Sequence, residues 1–332
     1  MQQHVAPAAP SASPAGGARA VKTGKRKRKR FSVLTGRDRV LLVLMVGIPS
    51  FVHIGLIWVP TLASILLSFT KWNGIGGLDK IQFVGTKNYE NIFFSDPQFW
   101  PALTHNLTWL AVFLFIATPL GILMAVLLDR EMRGTRVYQS VLYMPVVLSL
   151  AIVGFIWQLI YSPGQGFINN LLADVTGNQA WVTPGTAIDW LGNSSINLWA
   201  VLVAASWRHV GYIMVLYLAG LKAFDPTLRE AASIDGANAR QTFFRVVFPV
   251  LAPINVVVLV VTIIESLRAF DIVFVINKGL NGLELLSVMI TNNILGEASR
   301  VGYGSALAVI LLLISIGPII WYLTRTMGRE AE

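Results

Sequence analysis

The chain has 332 residues, of which 55% are hydrophobic and only 13% are charged, and its mean hydropathy is +0.63. Soluble domains carry about 25% charged residues, so this composition excludes an ordinary soluble protein and predicts a membrane protein. The absence of cysteine excludes disulfides and thiolate metal sites, and the four histidines lack metal-ligand spacing.

The amino-terminal tail, residues 1–36, is basic and rich in Ala, Pro, Ser and Gly. This composition cannot bury a core and predicts a disordered cytoplasmic tail. The run Lys25–Arg30 precedes the first apolar segment, where basic residues anchor a span and meet anionic lipid headgroups. The net charge of +9 therefore indicates membrane lipids as partners and no nucleic acid. A membrane scaffold whose tail binds nucleic acid is the alternative.

Six apolar segments have the length of about 20 residues that a bilayer crossing needs. They are Val40–Phe69, Leu107–Leu128, Val141–Ile160, Ile196–Leu221, Val246–Ile264 and Ser305–Leu323. The segments predicted to be cytoplasmic hold nineteen of the 26 Lys and Arg residues, and the outer loops hold six. The positive-inside rule therefore predicts an all-α membrane protein with six transmembrane helices and both termini inside. The transmembrane domain would span residues 37–329.

A polar loop, residues 222–248, separates the fourth and fifth spans on the predicted cytoplasmic side. Asp225 is a natural N-cap, and Pro226 is a favourable first helical residue. Together they predict a short helix that covers residues 228–235. Gly236 can end this helix in the left-handed conformation.

The second half of the loop predicts another helix. Asn238 and Gln241 have the spacing of a helix cap and its reciprocal partner. The helix is expected to run over residues 239–248, and Pro249 interrupts it.

Two short helices joined at one glycine would project below the membrane. Ala231 and Ala232 would give a thin face that another surface can approach closely, and Glu230 and Asp235 would supply charge at its rim. The alternative is that the loop folds back onto the membrane and places its phenylalanines in lipid.

The same loop carries a recognisable motif, EAA-x3-G followed by two apolar positions and a proline. It resembles the loop by which ABC importer permeases bind their ATPase subunits. The resemblance implies the type I ABC importer permease fold. It also implies a set of ATPase-coupling residues: Glu230, Ala231, Ala232, Asp235, Gly236 and Pro249.

Other segments resemble the carbohydrate-uptake branch of these permeases, the maltose and glycerol-phosphate type. They are Ser68–Gly74, Phe83–Tyr89, Asp96–Trp100, Leu218–Leu221 and Ala269–Asp271. Residues 277–282 depart from the glycine-rich turn common in that branch. The resemblance implies a sugar or sugar-like polyol as cargo. It also implies three kinds of partner: a second homologous permease, two copies of an ATP-binding subunit and an extracytoplasmic substrate-binding protein.

No phosphate-binding loop motif is present in the sequence. We therefore expect no cofactor on this chain, with ATP and magnesium bound by the partner subunit. The chain itself is expected to be a non-enzymatic, multi-pass subunit of the cell membrane.

Polar residues within the spans are candidates for the substrate pathway. A central arginine such as Arg208 costs about 2.5–3.5 kcal/mol on insertion scales, so it should face the bundle interior or water. Tyr212 lies four residues later on the same helix face, and an arginine with an aromatic ring suits sugar hydroxyls and pyranose faces. Alternatively, Arg208 pairs with a carboxylate such as Glu265 and fixes helix packing. Asn255 either lines the pathway or makes a helix–helix hydrogen bond. Glu265, Ser266 and Trp157 complete the candidates for the pathway.

Two other kinds of membrane protein fit the sequence less well. An ion-coupled secondary transporter needs carboxylates deep in the membrane, and the spans hold only Glu265, at an edge. A membrane-embedded enzyme needs a nucleophile–base pair or a cluster of His, Asp and Glu, and no span has one at helical spacing.

Overall fold

A computed structural model describes residues 35–130, 133–296 and 299–330. It divides into two compact units, residues 1–56 and 57–332. The described part of the first unit is helix α1, Gly36–His53, and the start of a π-helical turn, Ile54–Trp58. A capping box between Thr35 and Asp38 begins α1, and none of its residues is buried. Nearly all of the predicted disordered tail lies outside the described residues, so that prediction stays a prediction.

The second unit is helical with one minimal strand pair. Strands β1 (Thr70–Lys71) and β2 (Gln82–Phe83) are antiparallel, with Thr70 opposite Phe83. The helices, in chain order, are α2 Val59–Leu67, α3 Lys87–Phe94, α4 Phe99–Val112, α5 Thr118–Asp129, α6 Thr135–Val147, α7 Leu150–Ile160, α8 Phe167–Thr176, α9 Asn197–Ala223, α10 Pro226–Ile234, α11 Ala239–Thr242, α12 Phe248–Val250, α13 Ala252–Leu267, α14 Asp271–Asn277, α15 Leu286–Ile294 and α16 Val301–Glu330. Two short 3₁₀ turns, Leu78–Lys80 and Gln179–Trp181, lie in the loops.

Within the residues that the structure describes, six segments have the length and apolar character of membrane spans when each bent pair is counted as one. Four are single stretches: Gly36–Leu67, Phe99–Asp129, Asn197–Ala223 and Val301–Tyr322. Two are bent pairs, Thr135–Val147 with Leu150–Ile160 and Ala239–Val250 with Ala252–Asn277. Counting each bent pair as one span gives six, which confirms the predicted all-helical membrane fold.

The third predicted span is a bent pair of helices, a break that the sequence analysis did not anticipate. Helices α6 and α7 meet at an angle of 103°. Pro145 lies near the end of α6, and Leu148 has an extended backbone. The Ser149 side chain then accepts a hydrogen bond from the Ile152 amide at 3.3 Å, so it caps a new helix. Proline removes a helical donor and serine offers a cap, and together they break the span.

The fifth predicted span is also bent, by 79° at Leu251. Pro253 cannot donate a helical hydrogen bond, so the helix has to restart at α13. The Asn255 side chain donates to the Phe248 carbonyl at 2.8 Å. Asn255 thereby satisfies a carbonyl next to the break, as membrane helices interrupted by proline require.

Two π-helical turns in the second unit share a sequence feature. Phe113–Ala117 and Phe243–Val247 each end two residues before a proline, Pro119 and Pro249 respectively. A proline ring clashes with the carbonyl four residues earlier. A wider turn relieves that clash, which gives these π turns a physical cause.

Contacts at the ends of the spans fall into two sets. The start of the second span meets the end of the fifth, because Asn106 donates to the carbonyl of Leu267, the last residue of α13, at 3.2 Å. The start of the fourth span meets the loop that follows the fifth, because the Asn197 side chain donates to the Asn281 carbonyl at 2.8 Å. The end of the second span instead contacts the loop between the fourth and fifth spans. This alternation is what successive membrane crossings require, and it agrees with the predicted placement of successive loops on opposite sides of the membrane.

Candidate coupling site and substrate pathway

The loop after the fourth span folds into two short helices, as predicted. The Asp225 side chain accepts a hydrogen bond from the Thr227 amide at 2.9 Å, and Pro226 is the first residue of α10. That hydrogen bond to the ionised form holds the pKa of the Asp225 carboxyl below its ordinary value. Both features are local, which is why they can be predicted from the sequence.

The turn after α10 is a Schellman motif. The Ala237 amide donates to the Ala232 carbonyl at 2.9 Å, and the Gly236 amide donates to the Ser233 carbonyl at 3.1 Å. Gly236 has a φ of +79°, a conformation in which glycine avoids the strain of a side chain. The predicted left-handed end of the helix is confirmed.

The second helix begins with the predicted capping box. The amides of Asn238 and Gln241 each donate to the other residue's side-chain oxygen at 2.9 Å. The helical segment continues through α11, the π turn and α12 to Val250. Pro249 lies in its last turn, 13 positions after Gly236. We call the pair of helices, residues 226–250, the coupling unit.

The surface of the coupling unit differs in two respects from the expectation. Ala232 is buried, with only 7% of its surface exposed. The prediction that Ala231 and Ala232 share an exposed face is therefore wrong for Ala232. Ile234, which the sequence analysis did not select, is 86% exposed. Glu230, Ala231 and Ile234 are exposed at helical spacing and form one outward face of α10.

The inner side of the coupling unit is held by an ion pair to the end of the second span. Arg229 contacts the Asp129 carboxylate at 2.8 Å, and Lys222 contacts it at 3.4 Å. The Asp129 side chain is only 10% exposed. The guanidinium of Arg229 also lies over the Phe224 ring, 5.2 Å from its centre.

A second connection joins the far end of the coupling unit to the fourth span. The Tyr217 hydroxyl donates to the Asn255 side-chain oxygen at 2.8 Å, while the Asn255 amide group holds the Phe248 carbonyl. Of the two alternatives for Asn255, the structure shows the helix–helix hydrogen bond.

The pathway candidates do not form one cluster. Arg208 and Glu265 do meet, at 3.4 Å, with side chains 21% and 32% exposed, so the predicted pairing exists. The Nε atom of Arg208 is buried without a partner among the described residues. Ser266 is fully buried and donates to the Ile263 carbonyl, so its hydroxyl is used within its own helix.

The two aromatic candidates lie elsewhere on partly exposed positions. Trp157 packs edge-on against Trp207, with ring centres 6.0 Å apart, and against Tyr161 at 5.0 Å. Tyr212 is half-buried and lies about one helical turn after Arg208 on the same face of α9.

A buried polar cluster was missed by the sequence analysis. The His209 Nε2 atom lies 3.4 Å from the Thr118 hydroxyl and 3.3 Å from the Thr262 hydroxyl, which are 3.1 Å from each other. The imidazole also stacks on Phe113, with ring centres 4.2 Å apart. These contacts tie the second, fourth and fifth spans together, and no local sequence signal reveals them.

Comparison with known proteins identifies the family to which this fold belongs. Residues 117–325 match the model of the family described as binding-protein-dependent transport system inner membrane component. A probable ABC transporter permease of Pyrococcus horikoshii is 30% identical over 283 residues, which cover 85% of this chain and 91% of that protein. A probable permease for starch degradation products from Thermoanaerobacterium thermosulfurigenes is 31% identical, with 82% and 89% coverage.

A further relative is a xylose/arabinose import permease of Haloferax volcanii, 31% identical, with 77% of this chain and 79% of that protein covered. Among solved structures, a bacterial ABC transporter that imports alginate matches with a TM-score of 0.71 and 20% identity. The match covers 89% of this chain and 96% of that one, and it shows the shared fold. The chain therefore belongs to the family of binding-protein-dependent inner-membrane transport components, and it is a non-catalytic, multi-pass permease subunit of an ABC transporter.

Proposed function

We propose that this permease carries a sugar, an oligosaccharide or a sugar-like polyol, into the cell. Relatives named for starch degradation products and for xylose and arabinose support this cargo class. We further propose that it works with a second homologous permease, two copies of an ATP-binding subunit and an extracytoplasmic substrate-binding protein. The proposal assigns residues 222–248 to ATPase coupling and residues 37–329 to the transmembrane domain.

The observation that carries the coupling role is the two-sided build of the coupling unit. Its outward face, Glu230, Ala231 and Ile234, is exposed. Its inner side is joined to the second span through Asp129 and to the fourth through Tyr217. An ATPase that pushes on the outward face would therefore move two spans together. Asp235, Gly236 and Pro249 shape the unit and set its angle.

The proposed mechanism is alternating access between two states of the helix bundle. A ligand shifts such an equilibrium only by its differential affinity for the two states. ATP binding closes the partner ATPases, which favours the outward-open bundle, and hydrolysis restores the inward-open one. The two bends at Leu148 and Leu251 are natural hinge positions for this change, because broken helices leave few hydrogen bonds to disrupt.

The assembled complex provides the test. Proteoliposomes that contain both permeases and the ATPase, with the binding protein outside, should accumulate a radiolabelled sugar only when ATP is inside. Sugar uptake that persists without ATP and follows a sodium or proton gradient would contradict the proposal and favour an ion-coupled secondary transporter.

We expect Arg208→Met to lower sugar uptake about tenfold, since a hydrogen bond to a charged group contributes about 1.5–3 kcal/mol. The substitution also leaves Glu265 without its partner. The double variant Arg208→Met/Glu265→Leu separates the two explanations. If Arg208 contacts the sugar, uptake by the double variant stays low, whereas recovery to the wild-type rate would show that the pair serves packing alone.

A further inference from the structure

Three segments that resemble the carbohydrate branch lie outside the coupling unit. Residues 68–74, 83–89 and 96–100 are separated in sequence, yet each contributes to the wall of one cavity of about 740 Å³. The start of the sixth span, near Arg300 and Tyr303, completes the wall. We call this the outer cavity, because its segments belong to the loops predicted to lie outside the cell. Its volume is within the 300–1,000 Å³ typical of ligand pockets.

The wall of the outer cavity is built by its own polar residues. The Asn88 side-chain amide donates to the carbonyls of Ser68 and Thr70 at 2.8 and 2.9 Å. The Tyr89 hydroxyl donates to the Ser68 hydroxyl at 2.7 Å. Asn88 and Ser68 are buried. These bonds fix the loop after the first span against α3, so the cavity is part of the fold rather than a gap between loose segments.

The polar groups that remain are mostly donors and cations. Lys71 and Lys87 are exposed, and neither has an ion-pair partner within the described part of the chain. Arg300 lies over the Tyr303 ring, 4.7 Å from its centre. The indole Nε1 of Trp72 is buried and has no acceptor among the residues that the structure describes.

The carboxylate in the described wall is already engaged. Asp96 accepts a hydrogen bond from the Tyr303 hydroxyl and another from the Gln98 amide at 2.9 Å. It therefore has less capacity to neutralise the three cations around it. The described wall has a surplus of positive charge and of unpaired donors, which complements an acidic group.

We propose that the outer cavity receives an acidic loop of the extracytoplasmic substrate-binding protein. This inference rests on the proposed function and on the predicted orientation. The two lysines are exposed at the cavity, where charges act mainly on the rate and register of docking. Trp72 is a wall residue whose buried N–H has no acceptor among the described residues, and it would donate to an acceptor on the incoming loop once that loop is seated. The substrate-binding protein must align its cargo over the permease, and a loop seated in the outer cavity would fix that alignment.

The experiment uses the complete transporter in nanodiscs with its cognate binding protein. Affinity is measured by surface-immobilised binding at low and high salt, together with basal ATPase activity. The double variant Lys71→Glu/Lys87→Glu should weaken binding about tenfold at low salt and flatten the salt dependence, because two attractive charges become repulsive. Basal ATPase activity and recovery of the ATPase with the permease should stay unchanged.

Lys80→Glu is the matched control, because Lys80 is an exposed lysine of the same loop outside the cavity wall. An affinity of the double variant within twofold of this control would overturn the proposal. Trp72→Phe keeps a ring and removes the N–H, and it should weaken binding at both salt concentrations. Free sugar that quenches Trp72 fluorescence without the binding protein would instead make the cavity a sugar site. Loss of the ATPase from the complex would count against the proposed function. The affinity for the binding protein is measured independently, so the two proposals can fail separately.

Discussion

Replacing Gly236 with valine is expected to lower ATP-driven uptake about tenfold, while the variant still inserts into the membrane at normal levels. Gly236 has a φ of +79°, and the left-handed conformation costs an L-residue roughly 1–2 kcal/mol, more when it is β-branched. No atom lies within 4 Å of a Cβ built at this position, so the effect would come from the backbone and not from a clash. The strain would change the angle between α10 and α11 and misalign the surface offered to the ATPase. Uptake per permease in proteoliposomes measures the effect.

Two further variants control this experiment. Gly236→Asn should retain most uptake, because asparagine tolerates the left-handed conformation. Gly134→Val places the same strain in another predicted cytoplasmic loop, since Gly134 has a φ of +83° at the start of α6. Uptake by Gly134→Val should stay near the wild-type rate. An equal loss in both valine variants would show that strain in any loop suffices and would argue against a specific role for the turn.

Replacing Asp129 with alanine is expected to uncouple ATP hydrolysis from transport. The substitution leaves Arg229 and Lys222 without their shared carboxylate. Removing one partner of a buried pair costs about 3–5 kcal/mol, and less here because Arg229 is 40% exposed. The coupling unit would then move without carrying the second span. We expect ATPase activity close to wild type with uptake about tenfold lower, measured as sugar molecules transported per ATP hydrolysed.

The charge exchange Asp129→Arg/Arg229→Asp tests whether the contact itself matters. It restores an ion pair in the opposite sense and should recover part of the lost coupling. Asp174→Ala removes an exposed aspartate from α8 and should leave the ratio unchanged. A ratio in Asp129→Ala that equals this control would mean that the ion pair has no part in transmission.

The features that could be predicted from the sequence are those set by neighbouring residues. The cap at Asp225, the turn at Gly236 and the box of Asn238 with Gln241 each depend on residues no more than five positions apart. The six spans follow from apolar length. The bend after Pro145 was missed because proline is often tolerated inside membrane helices. Ser149 can cap a new helix only where the preceding helix already ends, so its role is not evident from the sequence.

The features that could not be predicted depend on contacts between distant parts of the chain. Asp129 and Arg229 are 100 positions apart, and Tyr217 and Asn255 are 38 apart. Neither partner has a local pattern that selects the other. The same holds for the buried cluster around His209, whose threonines lie on two other spans. Helix packing in three dimensions brings these residues together, so only the structure reveals the inner side of the coupling unit.

We propose that an ATPase covers the outward face of α10 on the cytoplasmic side, and accessibility of this face tests the coupling role most directly. The chain has no cysteine, so Ile234→Cys gives a single label on that face. A membrane-permeant maleimide should modify this cysteine in the permease pair alone and should fail to modify it when the ATPase is bound, while Lys80→Cys is modified in both. Equal labelling of Ile234→Cys with and without the ATPase, or its modification from outside by an impermeant reagent, would contradict the placement of the ATPase on this face.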